Sequence, residues 1–299
     1  MELKIGDIIK QRREELGLTQ EEVCKGICTQ KTMSRIETNK NIPSIFIMEN
    51  IMQRLAIPIK NNYYLLLNHD INIYYLQEQI DYYTSIWEND KAKDLLYELE
   101  KLSNKDDMLE QQFIFSKKAI IEDLSDIERI QMLTESIKFT IPNFDIESIN
   151  FKLITLEECK IIVNIANIYS NINMEKSIKI YSDLLNISQR NFSDLKDYAY
   201  INGLISCFLS KRLYLTEKYE DSISVSNIGI DALVKSNKSH LIGEILLYKG
   251  LSFLKLGNEI EGKKILTQSF AFMEIMKSYD DLDSARKYLK EEFNLSMFD

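Results

Sequence analysis

Only three prolines and nine glycines interrupt 299 residues, and this scarcity is the strongest constraint on the fold. Turn-rich β architectures, glycine-rich nucleotide folds, collagen and disordered chains all need more of these residues. Long helices joined by short turns do not. With 45% hydrophobic and 28% charged residues, the chain has the balance of a globular protein with a sizeable core. Its length suits two domains better than one. No apolar run approaches the ~18 residues that cross a bilayer, and the amino terminus lacks the basic and apolar regions of a signal peptide. A cytoplasmic, all-α protein with no membrane contact is expected.

The reactive residues exclude more than they suggest. Cys24, Cys28, Cys159 and Cys207 are too sparse for a disulfide framework. Cys24 and Cys28 lack a second Cys or His pair at zinc spacing, and His69 and His240 lie far from them. Glycine-rich phosphate loops, HExxH and GxSxG are all missing from the sequence. No catalytic residue, metal or cofactor is expected. Charge, however, is uneven. Residues 1–60 hold ten Lys/Arg against eight Asp/Glu, a net of +2, and the remainder holds 27 against 38, a net of −11. An acidic body repels a phosphate backbone, so any nucleic-acid contact belongs to the near-neutral amino-terminal module.

Within that module Leu3, Ile5, Ile8, Ile9, Arg12 and Leu16 fall at helical spacing, and Gly17 ends the helix. Thr19, three residues before Glu22, forms a capping box that opens a short second helix to about Lys25. After the tight turn at Gly26-Ile27-Cys28, Thr29 caps a third helix from Gln30 to about Thr38, with Met33 and Ile36 inward. Pro43-Ser44 opens a fourth, burying Ile45, Met48, Ile51, Met52 and Leu55. Five short helices in about 65 residues, two of them joined by a tight turn, amount to helix-turn-helix architecture.

Leu18-Thr19-Gln20-Glu21-Glu22-Val23 followed by Met33-Ser34-Arg35-Ile36-Glu37 resembles the Xre/lambda-repressor-like DNA-binding domain, with a turn one residue shorter than usual. The resemblance implies that Gln20 contacts phosphate and braces Gln30, which reads a base. Thr29, Lys31, Thr32 and Arg35 complete the implied DNA-facing set, Lys31 and Arg35 as either base readers or phosphate clamps. Glu37 resembles the structural acid of that family.

Beyond Asn61 the chain reads as helix after helix. Gly250, Phe253, Gly262, Leu266 and Ser269 fit the tetratricopeptide spacing, with Leu256-Gly257 at the turn. Ala166, Tyr169, Ser177, Tyr181 and Leu184 repeat it with one residue deleted. Tyr219, Ser222, Ser226 and Gly229 supply half of another repeat; Ile80, Tyr83, Ala92, Leu96 and Leu99 mark an earlier one. Residues 110–140 read as a further helix pair. About five stacked pairs form a right-handed superhelix whose concave face suits an extended peptide.

A helix-turn-helix domain followed by a tetratricopeptide superhelix is similar to the peptide-pheromone-responsive regulators of the Rgg/NprR/PlcR/PrgX group. That resemblance implies a homodimer that binds double-stranded promoter DNA and is controlled by a short imported signalling peptide. It places Asn167 and Asn202 as amides that bond the peptide backbone, with Glu244 and Tyr248 near the contact region but of changed residue type. The expected domains are 1–60 for DNA binding, 61–73 as a linker helix region, and 74–299 for peptide sensing and dimerisation, with the stretch from Ile59 to Asp81 joining the dimer contact. A phage-type lysis/lysogeny regulator and a peptide-controlled module that sequesters a protein partner are the alternatives.

Overall fold

A computed structural model describes residues 4–41, 43, 47–48, 51–52, 55, 71–149, 154–192 and 196–295. The described residues are all-α, without a strand. They divide into two compact units, Met1–Glu122 and Asp123–Asp299.

The first unit begins with α1 (Ile5–Glu15), α2 (Gln20–Cys24) and α3 (Gln30–Glu37). Each boundary has a local cause. Gly17 stops α1 at φ +67°, a left-handed conformation that glycine adopts without strain. The Thr19 hydroxyl accepts the Glu22 N–H while the Glu22 carboxylate accepts the Thr19 N–H, the reciprocal cap expected from the sequence. Thr29 accepts the Thr32 N–H and starts α3. Ile9, Val23, Met33 and Ile36 pack with Met48, Ile51, Met52 and Leu55 into one core. The expected fourth helix is thus seen through its buried positions, while Ile45 lies outside the described residues, as do Leu3 and residues 56–70 of the expected linker. Leu16, placed on the buried stripe by periodicity, is exposed.

The same unit continues with α4 (Ile71–Ser85), α5 (Asn89–Leu102) and α6 (Met108–Ile121). Ile80, Ala92, Leu96 and Leu99 form the core between the first two, and Phe113 and Ile114 of α6 join it. Helix α6 packs on α5, whereas α7 (Asp126–Lys138) begins the second unit and packs on α8 (Leu156–Ile172).

The second unit then pairs α8 with α9 (Met174–Phe192), α10 (Lys196–Leu215) with α11 (Tyr219–Ser236), and α12 (Ile242–Lys255) with α13 (Glu259–Ile275), before α14 (Tyr279–Phe293). Small residues set the spacing within each pair. The Ser177 hydroxyl donates to the Ala166 carbonyl across α8–α9 at 2.6 Å, and Ser222 to the Ser210 carbonyl across α10–α11 at 2.9 Å. At the matching point of α12–α13, Gly250 faces Gly262, where a Cβ on Gly250 would lie 2.8 Å from Leu266 Cγ. Backbones that close leave no room for larger side chains, which is why the repeat pattern was readable. First helices of successive pairs, α8, α10 and α12, also pack side by side. They make one layer of the unit.

Candidate functional site

Two surfaces carry the residues singled out by sequence. On the amino-terminal domain, Gln30, Lys31 and Arg35 are exposed along one edge of α3, opposite buried Met33 and Ile36. None of these three side chains has a hydrogen-bond or ion-pair partner among the described residues. Thr29 and Thr32 are tied together at the helix start, their hydroxyls 2.9 Å apart.

The edge rests on a network that sequence reading saw only in part. Glu37 is 3% exposed, and its carboxylate accepts from Arg13 Nε at 2.6 Å, Arg13 Nη2 at 2.9 Å and Gln20 Nε2 at 2.8 Å. Arg13 Nη1 also donates to the Leu18 carbonyl. Hydrogen bonding to Glu37 raises the Arg13 pKa against the opposing effect of burial. One fork-shaped ion pair therefore ties α1, α2 and α3 at fixed angles. Gln20 braces Glu37, and no bond joins it to Gln30 among the described residues. Arg13 escaped notice because a periodicity argument places it beside the core stripe; only the fold brings it to a residue 24 positions away.

On the second unit, Glu244 and Tyr248 of α12 share a cleft of about 330 Å³ with Lys211 and Tyr214 of α10 and Tyr288 of α14. Leu247, Leu251 and Met273 supply its apolar lining. Lys211 Nζ lies 3.7 Å from the Glu244 carboxylate and 5.5 Å from the Tyr248 ring centroid. Burial pulls the Lys211 ammonium down, but Tyr248 and Glu244 beside it hold its pKa above the ordinary value. The Tyr214 and Tyr288 hydroxyls meet at 2.8 Å. Burial, and then that bond, push the Tyr214 phenol up. An apolar floor with aromatic walls and one ion pair at the rim suits a bulky side chain with a polar end.

Asn167 and Asn202 part company. Asn167, half-buried on α8, accepts from Arg212 Nη2 at 2.8 Å and from the Tyr181 hydroxyl at 2.6 Å, both at its amide oxygen. Its NH2 group keeps its donors free of partners among the described residues. Asn202 is 4% exposed, and its oxygen accepts the Ser188 hydroxyl of α9. That bond fastens two helices. In an Asn-rich chain, burial separates the two, and burial depends on contacts distant in sequence. Cys159 and Cys207 are fully buried, with burial pushing the Cys159 thiol up to about 12. Among the described residues no three His, Cys, Asp or Glu side chains gather as a metal site, and no helix is long and apolar enough to cross a membrane.

Residues 9–60 match the helix-turn-helix family HTH_3. No curated protein matches the chain. Among solved structures, the chain is similar to PlcR of Bacillus thuringiensis in complex with the peptide PapR7 and DNA, at 24% identity and a TM-score of 0.65, covering 94% of this chain and 98% of that one. The SHP pheromone receptor Rgg2 of Streptococcus dysgalactiae follows at 14% identity and 0.55, covering 97% and 100%. ComR of S. thermophilus, in complex with DNA and its signalling peptide ComS, gives 15% and 0.52 over 95% and 98%. The protein thus carries a helix-turn-helix domain and shares, over nearly its whole length, the all-α fold of PlcR, Rgg2 and ComR.

Proposed function

We propose that the protein is a quorum-sensing transcription regulator: a homodimer that binds promoter DNA and is controlled by a short signalling peptide held on the inner face of its second unit. The observation that carries this reading is the unpartnered polar edge of α3, Gln30, Lys31 and Arg35, on a domain braced by Glu37. Exposed long polar side chains on a rigid second helix of a helix-turn-helix are suited to the major groove. Gln30 reads a base. Lys31 and Arg35 meet bases or phosphates, and Thr29 and Thr32 approach the backbone at the helix start. Gln20 spends one amide N–H on Glu37, which fixes α2, and keeps the second for a phosphate oxygen.

The peptide site comprises Asn167, which donates its free NH2, and the Glu244/Tyr248 cleft. PlcR and ComR were solved with both a peptide and DNA, which supports joining the two surfaces in one regulatory reading. Residues 1–60 are the reading head, 61–73 a linker region, and 74–299 the sensing and dimerisation body. One head of net +2 makes few phosphate contacts, and two linked heads gain effective concentration. Peptide binding regulates by favouring one arrangement of the body over another.

The test is selection of duplexes from a randomised pool by the full chain, with light scattering of the same sample. A two-fold symmetric site and a mass twice 35.1 kDa are expected. Absence of any enriched sequence would overturn the DNA reading, and a single-chain mass the homodimer. For the ligand, isothermal titration with a peptide from a short exported precursor encoded beside the gene should show binding that Asn167→Ala abolishes.

A further inference from the structure

Arg212 is a buried cation whose described partners are all neutral. It is 7% exposed. Nε donates to the Ser177 hydroxyl at 3.2 Å, Nη1 to the Phe208 carbonyl at 2.9 Å and Nη2 to Asn167 Oδ1 at 2.8 Å. Its guanidinium lies over the rings of Tyr181 and Phe208, 5.0 and 5.7 Å from their centroids. No carboxylate among the described residues pairs with it, and Glu244 on neighbouring α12 is engaged by Lys211. The other buried cation among the described residues, Lys117, is matched by Asp81, and the part-buried Arg13 by Glu37.

A buried charge without a counter-charge is costly, and hydrogen bonds to neutral groups offset only part of that cost. Arginine has five N–H donors. Three are used here, so Nη1 and Nη2 each retain one. Asn167 commits its oxygen to Arg212 and Tyr181, which turns its NH2 into another donor beside the guanidinium. The two residues belong to the neighbouring helices α8 and α10, and Lys211 precedes Arg212 by one position. Positive charge and convergent donors at one point of a ligand-facing surface fit a planar anion.

We infer that Arg212 and Asn167 form a carboxylate-binding site, which takes an acidic group of the bound peptide, either an Asp or Glu side chain or the C-terminal carboxylate. The inference rests on the reading of the inner face as a peptide site. The peptide then supplies the counter-charge that the fold omits, and the stacked rings and Phe208 carbonyl hold the guanidinium until it arrives.

Asn167→Asp tests the site without knowledge of the natural peptide. The substitution is isosteric and puts a carboxylate oxygen where Arg212 Nη2 already has a partner at 2.8 Å. The variant should unfold a few degrees higher than the wild-type chain at pH 7, and the gain should shrink progressively as pH falls below about 4, towards the lowered pKa that Arg212 gives the new carboxyl. In parallel, the immobilised full chain is presented with four pools of random heptapeptides, with or without Asp and Glu, each with a free or amidated C terminus. Wild type should retain carboxylate-bearing pools at least about tenfold over the pool with none, and the arms identify which carboxylate matters. Asn167→Asp should lose that preference. An unchanged or lowered melting temperature, or equal retention of all four pools, overturns the carboxylate site and leaves the peptide reading standing. Retention of no pool overturns both.

Discussion

The two surfaces of this chain solve opposite problems with the same device, an arginine largely withdrawn from solvent. In the amino-terminal domain Arg13 is paired with Glu37 and closed on itself, leaving the α3 edge free but rigid. In the second unit Arg212 is held by neutral groups only, so the inner face is left electrostatically unfinished. A completed network positions side chains for a ligand that contributes no stability to the site. An incomplete one makes the ligand part of the structure, which is what a sensor needs if binding is to shift an equilibrium. Breaking the completed network should therefore have the largest effect.

Glu37→Ala leaves the part-buried Arg13 without its counter-charge and frees Gln20. The amino-terminal domain should lose about 3 kcal/mol, the lower end of the range for removing one partner of a buried ion pair. Hydrogen exchange should show α1–α3 opening while α8–α13 keep their protection. Uniform loss across both units would mean that they do not differ in the way drawn here.

Alkaline pH should separate the amino-terminal domain from the second unit in the other direction. Residues 1–60 contain no tyrosine, whereas burial raises the pKa of Tyr181, Tyr214 and Tyr248 in the second unit. A raised phenol contributes its full stability below the unfolded value near 10 and loses it as pH rises through the folded one, because the unfolded chain releases its proton first. For the fully buried Tyr181, each pH unit in that window should cost about 1.4 kcal/mol. Urea unfolding between pH 9 and 11, followed by tyrosine absorbance, should show the second unit weakening first.

Much of this was legible in the sequence, and what was legible was local. Thr19 and Glu22 lie three residues apart, so their cap needed no knowledge of the fold. The small pairs of the second unit are 11 or 12 residues apart, fixed by the length of two helices and a turn. Arg212 was not legible, because its partners Asn167 and Ser177 lie 45 and 35 residues away and share no motif with it. The burial of Asn202 was hidden for the same reason: its bond to Ser188 crosses between helices, and an asparagine at repeat spacing looks the same whether buried or presented.

A smaller effect tests the repeat spacing. Gly250→Ala would place a methyl 2.8 Å from Leu266 Cγ and 3.2 Å from the Gly262 carbonyl. Helices α12 and α13 should be pushed apart at a cost of about 1–3 kcal/mol, read as a lowered urea midpoint of the second unit with DNA binding retained. A neutral result would show that close approach is incidental to the packing.

The central claim is that the exposed edge of α3 reads DNA sequence. Fluorescence anisotropy of the full chain on a selected duplex and on its scrambled counterpart, with wild type, Gln30→Ala and Arg35→Ala, tests it directly. Both side chains point away from the core, so truncation leaves the fold intact. Losing a base contact should remove about 1–3 kcal/mol of discrimination between the two duplexes, and losing a phosphate contact should weaken both alike. Unchanged binding to both duplexes by both variants would contradict the claim and place the reading surface elsewhere on the molecule.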